Sequence, residues 1–497
     1  MMLSVTNTLS DEREEFRSTG ADEEVLLYVC GLTVSDDAHL GHARVWVHAD
    51  VMCRWLEHEG YDVRHVENFT DVNEKIAARV GEDDLGGSEL DVARHFIEGT
   101  IADMRGLNLK RATVYPRVSE HVPEIVALIE RLLESGHAYE SNGSVYFDVT
   151  SFEEYGTLSN QDVEDLESQG DPEERSEKRH PADFALWKAG GVSESAIAEH
   201  AKIDHDHPPE GETWDSPWGE GRPGWHIECS AMAMTHLDET IDIHVGGHDL
   251  VFPHHENEIA QSEAATGERF ANYWLHTGLL ETEGEKMSSS LGNFFTVSAA
   301  LEEFGPDVLR SFYLSTEYGS NQTFSEAAME EARERFERLE RAHERATEAM
   351  DGPEARTKVE DGDLRATVEE TRAGFARAMN DDFGVREAMA ALLELAGALN
   401  RHLDSHAEYD YRGLRRAIET IEEFGGDVFG LSFGTDEGGR VELAEDLVEL
   451  VLRVREEERE AGNYERADAL REDLESLGVG VEDEGEESTY RLSERRS

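Results

Sequence analysis

The sequence predicts an α/β fold in which a parallel sheet, interrupted by a long insert, is followed by a helical bundle. A strand at 25–30, an amphipathic helix and a strand at 62–66 make the strand–helix–strand unit of parallel sheets. Apolar sequence resumes at 225–250, where we expect the sheet to continue, so residues 113–222 are interpreted as an insert. From Ser325 onward, apolar residues recur at helical spacing, which indicates a bundle.

The elements of the first region follow in order. The helix after the loop at 31–42 has apolar anchors at Val45, Val47, Val51, Trp55 and Leu56. Residues 87–140 predict two helices separated at 115–117, and residues 144–160 predict a strand and a turn. The rest of the insert is loop-rich and acidic, with an ordered stretch at 181–188 and an exposed acidic insertion at 190–212. Beyond the resumed sheet we expect a helix at 255–266, a strand near 274–280 and a loop at 285–293.

The helical region begins with one amphipathic face, marked by Met329, Ala332, Phe336, Leu339 and His343. Further helices are predicted at 362–380, 384–404 and 410–424. After a turn-rich linker at 434–439, the tail predicts helices at 441–460 and 463–476 and β-prone pieces at 479–481 and 489–492.

Composition limits the possible function. The chain has 497 residues, enough for about three domains. It has 111 acidic and 46 basic residues, and this acidity is spread along the chain, as in proteins adapted to molar salt. Such a surface argues against a nucleic-acid partner in dilute buffer. No run of about 18 apolar residues is present, the N-terminus is polar and acidic, and three cysteines do not make a disulfide framework. We therefore expect a cytoplasmic protein with no membrane partner.

One stretch combines a thiol, imidazoles and carboxylates. Pro253 favours a helix start, which would place His254 and Glu258 on one face at i and i+4 and turn His255 elsewhere. With Cys229 these residues offer three ligands for a tetrahedral zinc ion, and Cys30 is a candidate for the fourth. The alternative is that the cysteines are buried apolar residues and the His-His-Glu cluster is a solvated helix start.

A second candidate site lies at the start of the first helix. His39 and His42 flank Leu40 and Gly41 where free backbone N–H groups favour phosphate. Paired histidines at a helix start are also common as simple caps, so this tetrad alone does not decide between the two roles.

Taken together, these pieces resemble cysteinyl-tRNA synthetases, a family of class I aminoacyl-tRNA synthetases. The resemblance rests on matching stretches in the family's order and covers the chain from about Leu3 to Arg491. These stretches are Cys30–Val34, His39–His42, Asn68–Asp71, Gly224–Ser230, Phe252–Gln261, Lys286–Phe295 and Tyr464–Arg471.

The resemblance implies a domain organisation. A Rossmann-type catalytic domain with a stem-contact region would comprise residues 1–112 and 223–315, with a connective insert at 113–222. A helical bundle at 316–433 and a small anticodon-binding domain at 440–497 would follow.

The resemblance also implies a site and a reaction. A zinc ion held by Cys30, Cys229, His254 and Glu258 would select the thiolate of L-cysteine over the hydroxyl of serine. The partners would be ATP with Mg²⁺, L-cysteine and tRNA(Cys), and a monomer is expected. The cysteine carboxylate would attack the α-phosphate of ATP, and a terminal ribose hydroxyl of the tRNA would then attack the adenylate.

Individual residues receive roles from the same resemblance. ATP would be bound by His39, Gly41, His42, Lys286 and Ser289, with His39, His42 and Lys286 also catalytic. The amino-acid pocket would be lined by Thr70, Trp225, His244 and Asp249. One departure is that Ser289 stands where the family's loop usually has a second lysine, so Lys286 or a backbone N–H must do more.

Two alternative functions are consistent with part of this interpretation. One is a ligase joining adenylated cysteine to an amino sugar, but such relatives lack the C-terminal anticodon domain. The other is a catalytically decayed tRNA-binding paralogue, which the retained ligands, histidines and Lys286 disfavour. A structural zinc in an unrelated metabolic enzyme would not explain the order of the motifs.

Overall fold

The computed structural model describes two units, Met1–Phe433 and Gly434–Ser497. Its described residues are 2–18, 24–82, 85–166, 172–203, 205, 209–282, 285–286, 295–433, 448, 451–455, 466–467, 470–471, 474, 479–484 and 487–492.

The strands of the first unit are β1 (Ser4–Asn7), β2 (Glu12–Glu15), β3 (Glu24–Val29), β4 (Asp62–Glu67), β5 (Ala138–Ser141), β6 (Ser144–Phe147), β7 (Phe184–Ala189), β8 (Trp214–Ser216), β9 (Gly219–Pro223), β10 (Ile241–Gly247), β11 (Ala271–Thr277), β12 (Leu280–Thr282), β13 (Glu285–Lys286), β14 (Gln322–Phe324), β15 (Ala355–Arg356) and β16 (Tyr409–Asp410). Its helices are α1 (Leu40–His58), α2 (Glu74–Ala77), α3 (Glu89–Gly106), α4 (Val122–Ser135), α5 (Pro172–Glu177), α6 (Glu194–His200), α7 (Trp225–His236), α8 (Glu256–Thr266), α9 (Val297–Phe304), α10 (Pro306–Tyr313), α11 (Glu326–Asp351), α12 (Gly362–Met379), α13 (Val385–Ser405) and α14 (Tyr411–Ile421).

The central sheet has the strand order β11-β10-β3-β4, and all its pairings are parallel. Strand β3 is buried on both faces, as expected of an inner parallel strand. Val25 and Leu27 belong to one apolar core with α1, while Leu26 and Tyr28 belong to another with Cys229 of α7. Helices therefore cover both faces, and the predicted α/β class with a parallel sheet is confirmed.

The order of this sheet locates a crevice. From β3 the chain crosses over α1 to β4 on one side, whereas β10 lies on the other side of β3. At such a switch point the loops after the two inner strands diverge and leave a cleft at their carboxyl ends, where ligands bind in open α/β sheets. Cys30 follows β3 directly at this end, and its backbone N–H donates to the carbonyl of Val245 in β10 (3.0 Å).

Within residues 113–222 the structure has a second, antiparallel sheet of order β5-β6-β7-β9-β8. Helix α4 covers it with an apolar face formed by residues at i, i+3 and i+4 spacing: Val122, Ile125, Leu128, Ile129 and Leu132. Gly136 ends this helix in the left-handed region, at φ 83°.

The predicted helical region is found in α11 to α14. Ser325 caps α11 by accepting the Ala328 N–H, and the predicted face of Met329, Ala332, Phe336, Leu339 and His343 is buried. In the second unit, β17 (Val479–Glu484) and β18 (Glu487–Leu492) form an antiparallel hairpin over the predicted β-prone pieces. In the part of the chain that the structure describes, no helix is long and apolar enough to cross a bilayer.

Three local predictions are wrong. Residues 225–236 form helix α7 rather than sheet, and β10 begins only at Ile241. All seven residues from Ile227 to Ala233 are buried, so the helix is covered on every side and shows no amphipathic pattern. Residues 138–141 form strand β5, paired with β6, rather than the end of a helix. The insertion at 190–212 is not simply exposed, because α6 buries Ile197 against Ala77 and Ala78.

Candidate functional site

Four side chains predicted as metal ligands meet at the carboxyl end of the parallel sheet. Ligand atoms of Cys30, Cys229, His254 and Glu258 all lie within 4.8 Å of one another, and we call these four residues the thiol cluster. The two sulfur atoms are 3.7 Å apart, and His254 Nε2 is 3.1 Å from Glu258 Oε1. Cys229, His254 and Glu258 are at most 1% exposed, so the cluster belongs to the interior of the domain.

Secondary structure explains why these four meet. Cys30 leaves β3, and Cys229 lies in the second turn of α7, which packs on the same face of the sheet. His254 is the next-to-last residue of a short wide turn, Val251–His255, that runs directly into α8, so that His254 and Glu258 lie one turn apart, as their spacing predicts. Gly31 is needed beside Cys30 because a Cβ there would lie 1.6 Å from the backbone oxygen of Asn68.

The donor set fits a tetrahedral zinc ion. Two thiolates bound to one zinc ion at about 2.3 Å would be about 3.8 Å apart, close to the observed sulfur separation. His254 Nε2 and Glu258 Oε1 are both buried and form an ion pair with each other. The other atom of each group is held, since His254 Nδ1 lies 3.0 Å from His226 Nδ1 and Glu258 Oε2 lies 3.0 Å from His244 Nε2. Such outer contacts orient metal ligands in proteins.

Electrostatics within the thiol cluster favour an ion pair beside two neutral thiols. Burial lowers the pKa of His254, but Glu258 outweighs it and the pKa rises to about 10. Burial raises the pKa of Glu258, but His244 and His254 outweigh it and bring the pKa to about 2. The hydrogen bond with Cys30, together with burial, raises the pKa of the Cys229 thiol well above its usual value. A cation bound here must displace thiol protons, so its affinity must fall at low pH.

A second group of possible ligands overlaps the first. His244, His255 and Glu258 also lie within metal-binding range of one another. His255 was expected to turn away from Glu258; its Nδ1 indeed faces His276 Nε2 (2.7 Å), but its Nε2 remains 3.9 Å from Glu258 Oε1. This group lacks the sulfur atoms, and its His244 is already hydrogen-bonded to Glu258.

The predicted amino-acid pocket residues lie around the thiol cluster but in different environments. The ring of Trp225 lies 4.4 Å from that of His254, yet Trp225 is 40% exposed. Thr70 and His244 are buried, and Thr70 Oγ1 donates to Glu228 at 3.5 Å. Asp249 is exposed in the short turn after β10.

The paired histidines are helix caps. His39 Nδ1 accepts the Gly41 N–H (3.1 Å), and His42 Nδ1 accepts the His39 N–H (3.2 Å). A neutral imidazole that accepts at Nδ1 carries its proton at Nε2, so capping leaves an Nε2–H donor on each ring. Burial and the neighbouring His39 lower the pKa of His42 well below its usual value, which keeps His42 neutral. A Cβ on Gly41 would lie 2.9 Å from the His39 ring, so glycine preserves this arrangement.

The lysine loop is described only at its start. Lys286 is the last residue of β13, which pairs with β12. Ser289 lies outside the described residues. After the loop, the Phe295 carbonyl accepts the Leu40 N–H (3.1 Å), so the end of the loop is bonded to the start of α1.

Sequence reasoning missed one organising residue, Asn68. Its Oδ1 accepts from the Tyr28 hydroxyl and the Gly31 N–H, both at 2.9 Å, and its Nδ2 donates to Thr70. It therefore ties the end of β4 to the end of β3 beside Cys30. His226 was missed as well. Both lie inside stretches that carry the family resemblance, but only their hydrogen bonds, which the sequence does not give, mark them.

Family profiles match most of the chain. Residues 16–334 match the class I (C) tRNA synthetase catalytic domain. Residues 374–434 match the DALR domain, and residues 442–491 match the cysteinyl-tRNA ligase anticodon binding domain.

Similar whole proteins agree with these matches. The chain is 67% identical to the cysteine–tRNA ligase of Haloarcula marismortui, over 99% of this chain and 100% of the relative. It is 62% identical to that of Halobacterium salinarum over 98% and 99%, and 42% identical to that of Thermococcus gammatolerans over 97% and 98%. A solved methionyl-tRNA synthetase of Mycobacterium tuberculosis with methionyl-adenylate shares the fold alone, with a TM-score of 0.58 and 16% identity over 82% of this chain and 89% of that one.

Proposed function

The chain belongs to the cysteine–tRNA ligase family, and from that premise we propose how its own side chains perform the reaction. It is a class I aminoacyl-tRNA synthetase that joins cysteine to tRNA. Its acidic composition is consistent with the halophilic source of the Haloarcula relative. The anticodon-domain match and the full-length identity disfavour both an amino-sugar ligase and a decayed paralogue.

The domain division is part of this proposal. Residues 1–112 and 223–315 would form the catalytic domain with its stem-contact region, 113–222 the connective insert, 316–433 the bundle and 440–497 the anticodon-binding domain. The separate antiparallel sheet within 113–222 and the separation of Gly434–Ser497 support it. A monomeric state and a cytoplasmic location remain predictions from the sequence.

The thiol cluster is proposed to hold zinc through Cys30, Cys229, His254 and Glu258. The proposal rests on one observation: two sulfur atoms 3.7 Å apart, a buried imidazole nitrogen and a buried carboxylate oxygen all lie within 4.8 Å of one another. When bound, zinc supplies a soft Lewis acid that accepts the sulfur of cysteine as thiolate, for which the hydroxyl of serine is a poor substitute. His226 contacts the other ring nitrogen of His254, and His244 contacts the other carboxylate oxygen of Glu258. These two contacts would orient His254 and Glu258 as ligands.

The remaining pocket residues position the amino acid. Asp249, exposed at the end of β10, is proposed to bind the substrate ammonium, since a carboxylate is the natural partner for that charge. Trp225 would form a wall beside His254, and Thr70 and His244 would line the interior. Because pocket shape barely separates cysteine from serine, selection rests on the sulfur, and no editing site is required.

Adenylate formation is assigned to the other end of the cleft. The Nε2–H groups of His39 and His42 are proposed to donate to phosphate oxygens of ATP·Mg²⁺, aided by the N-terminus of α1. Gly41 permits the close ring arrangement, Lys286 would neutralise the departing pyrophosphate, and Ser289 is kept as a proposed ATP contact. The cysteine carboxylate forms the bond to the α-phosphorus as the bond to pyrophosphate breaks.

Cysteine-dependent ATP–pyrophosphate exchange in concentrated KCl, with zinc quantified in the same preparation, tests this function. We expect about one zinc per chain, and exchange with cysteine that exceeds exchange with serine by at least about a thousandfold. His42→Ala should slow exchange by about a hundredfold while leaving the zinc content unchanged, because it removes one phosphate donor. A zinc-loaded wild type that activates serine as readily as cysteine would contradict sulfur selection.

A further inference from the structure

The first turn of α8 is held from two sides. His254 and Glu258 face the thiol cluster, and Glu256 lies between them in sequence. Residues two positions apart on a helix point about 200° apart, so Glu256 points away from the thiol cluster. Glu256 is nevertheless fully buried, with 0% of its surface exposed. Its carboxylate must therefore be compensated by polar groups outside the thiol cluster.

The compensating groups come from the insert. The Gly156 N–H donates to Glu256 Oε1 (2.8 Å), and the Ser159 N–H and hydroxyl both donate to Glu256 Oε2 (2.8 and 2.7 Å). The adjacent Asn257, which is 2% exposed, accepts the Tyr155 hydroxyl. We call residues 155–159 the insert loop. Its donors thus converge on two consecutive side chains of α8 that lie 97 to 102 residues away in sequence.

The insert loop also contacts the core that surrounds Cys229. Leu158, which is 5% exposed, belongs to the same apolar cluster as Cys229 and as Ile259 of α8. One loop therefore packs against the helix start that carries two of the proposed ligands and against the core around a third. Because protein interiors are close-packed, a shift of this loop is transmitted to both places.

The backbone of the insert loop is fixed by its own hydrogen bonds. The Gln161 N–H donates to the Gly156 carbonyl (3.0 Å), and the Thr157 N–H donates to the Glu154 carbonyl (3.2 Å). Gly156 has a φ of 95°, and a Cβ there would lie 2.0 Å from the backbone oxygen of Gln161, so the turn requires glycine. The loop therefore presents its donors to Glu256 in fixed positions.

We propose that Glu256 is a positioning residue of the thiol cluster. By binding the insert loop, it fixes the first turn of α8 and so sets the positions of His254 Nε2 and Glu258 Oε1 for the metal. This inference rests on the proposed zinc site. Ligands of a metal must be held to within about 0.5 Å, and the groups behind the ligands determine that accuracy. Here the insert supplies part of that support.

Glu256→Gln tests this role. The substitution replaces one acceptor oxygen with an NH₂ group, which cannot accept a hydrogen bond from Gly156 or Ser159. We expect zinc affinity, measured by competition with a chelator, to fall by about tenfold or more. Co²⁺ bound in place of zinc should show a changed visible absorption spectrum, because the spectrum of Co²⁺ depends on the geometry of its ligands.

The same variant should separate cysteine from ATP. In pyrophosphate exchange with zinc in excess, we expect the KM for cysteine to rise by about tenfold, because the substrate thiolate is proposed to bind at the metal. The KM for ATP should stay within about twofold of wild type, since His39 and His42 lie at the start of α1 rather than on α8. A general loss of folding would not produce this difference between the two substrates.

Two further variants keep the test informative if Glu256→Gln is unstable. Ser159→Ala removes only the hydroxyl bond to Glu256 and should lower zinc affinity in the same direction, by about threefold. Glu263→Gln makes the same change two turns further along α8, where the carboxylate accepts the Phe270 N–H (3.0 Å). It should leave zinc affinity and the Co²⁺ spectrum unchanged, whatever it costs in unfolding free energy.

The proposal is overturned if Glu256→Gln and Ser159→Ala, as folded proteins, match Glu263→Gln in zinc affinity and in Co²⁺ spectrum. It is also overturned if the KM for ATP rises in parallel with the KM for cysteine. Failure of the proposed function would look different, because wild type itself would then bind neither Zn²⁺ nor Co²⁺ at the thiol cluster.

Discussion

The parallel sheet buries two clusters built from the same three residue types, and they are electrostatically opposite. In the thiol cluster, charge is retained: the pKa of His254 rises to about 10 and that of Glu258 falls to about 2. In the second, which we call the Glu67 cluster (Cys53, His65 and Glu67), burial lowers the pKa of His65 to about 4 and raises that of Glu67 to about 8.

Distance and number of partners account for the difference. The His254 and Glu258 atoms lie 3.1 Å apart, and Glu258 has a second partner in His244 at 3.0 Å. The corresponding atoms of His65 and Glu67 lie 3.8 Å apart, and burial is the largest cause of both pKa shifts there. In these two clusters, close opposite charges therefore stabilise the ionised forms of His254 and Glu258, whereas burial suppresses the ionised forms of His65 and Glu67.

The largest effect should come from removing one sulfur of the thiol cluster. We expect Cys229→Ser to lose its zinc and to slow cysteine-dependent exchange by at least about a hundredfold, since hydroxyl is a poor zinc ligand. Cys53→Ala, in the Glu67 cluster, should keep both zinc and exchange and cost only about 1 kcal/mol of stability. Metal analysis beside the exchange assay measures this, and equal zinc content in the two variants would remove the distinction between the clusters.

Substitution of Asn68, which follows Glu67 in sequence, should have an intermediate effect. The Asn68 side chain accepts hydrogen bonds from Tyr28 and Gly31 where the cleft begins. Asn68→Ala leaves the Tyr28 hydroxyl and the Gly31 N–H without their acceptor. We expect a loss of about 2–3 kcal/mol in unfolding free energy and about a tenfold slower exchange. Tyr28→Phe removes one of these bonds together with its donor, so its cost should be about 1 kcal/mol. Equal costs in denaturant titrations would show that Asn68 does not organise the cleft.

We expect Glu67→Gln to have the smallest effect on activity. Its effect on stability should depend on pH. Because the pKa of Glu67 is about 8 in the folded protein and about 4.3 unfolded, the wild type loses about 1.4 kcal/mol of stability per pH unit as pH rises through this window. The variant should match wild type near pH 4.5 and exceed it by a few kcal/mol near pH 7. Exchange at pH 7 should change by less than about twofold.

Thermal and denaturant unfolding across pH 4.5–9 checks that sign, with Glu98→Gln on an exposed face as the matched control. A stability difference between wild type and Glu67→Gln that does not vary with pH would mean that the Glu67 carboxyl is ionised in the folded state.

Contacts between residues that are close in sequence could be predicted from the sequence more fully than contacts between residues that are far apart. The spacing of His254 and Glu258 predicted their contact, because helix geometry is local. Cys30, which lies 199 residues from Cys229, was a candidate for the fourth ligand by residue type, and the family resemblance then assigned it. The cavity that Lys75, Lys178 and Lys188 line could not be predicted, because these residues converge only through the packing of the insert. Helix α7 was missed because a short apolar run does not distinguish helix from buried strand.

The neighbouring positions of β3 and β10 also bear on how the protein is made. The thiol cluster draws its sulfurs from segments 199 residues apart, so neither half of the chain can form it alone. Closing so long a loop is entropically costly, and contacts of this kind form late in folding. On an emerging polypeptide, a complete thiol cluster must therefore await synthesis of α8. Binding of the metal would then follow the pairing of β3 with β10.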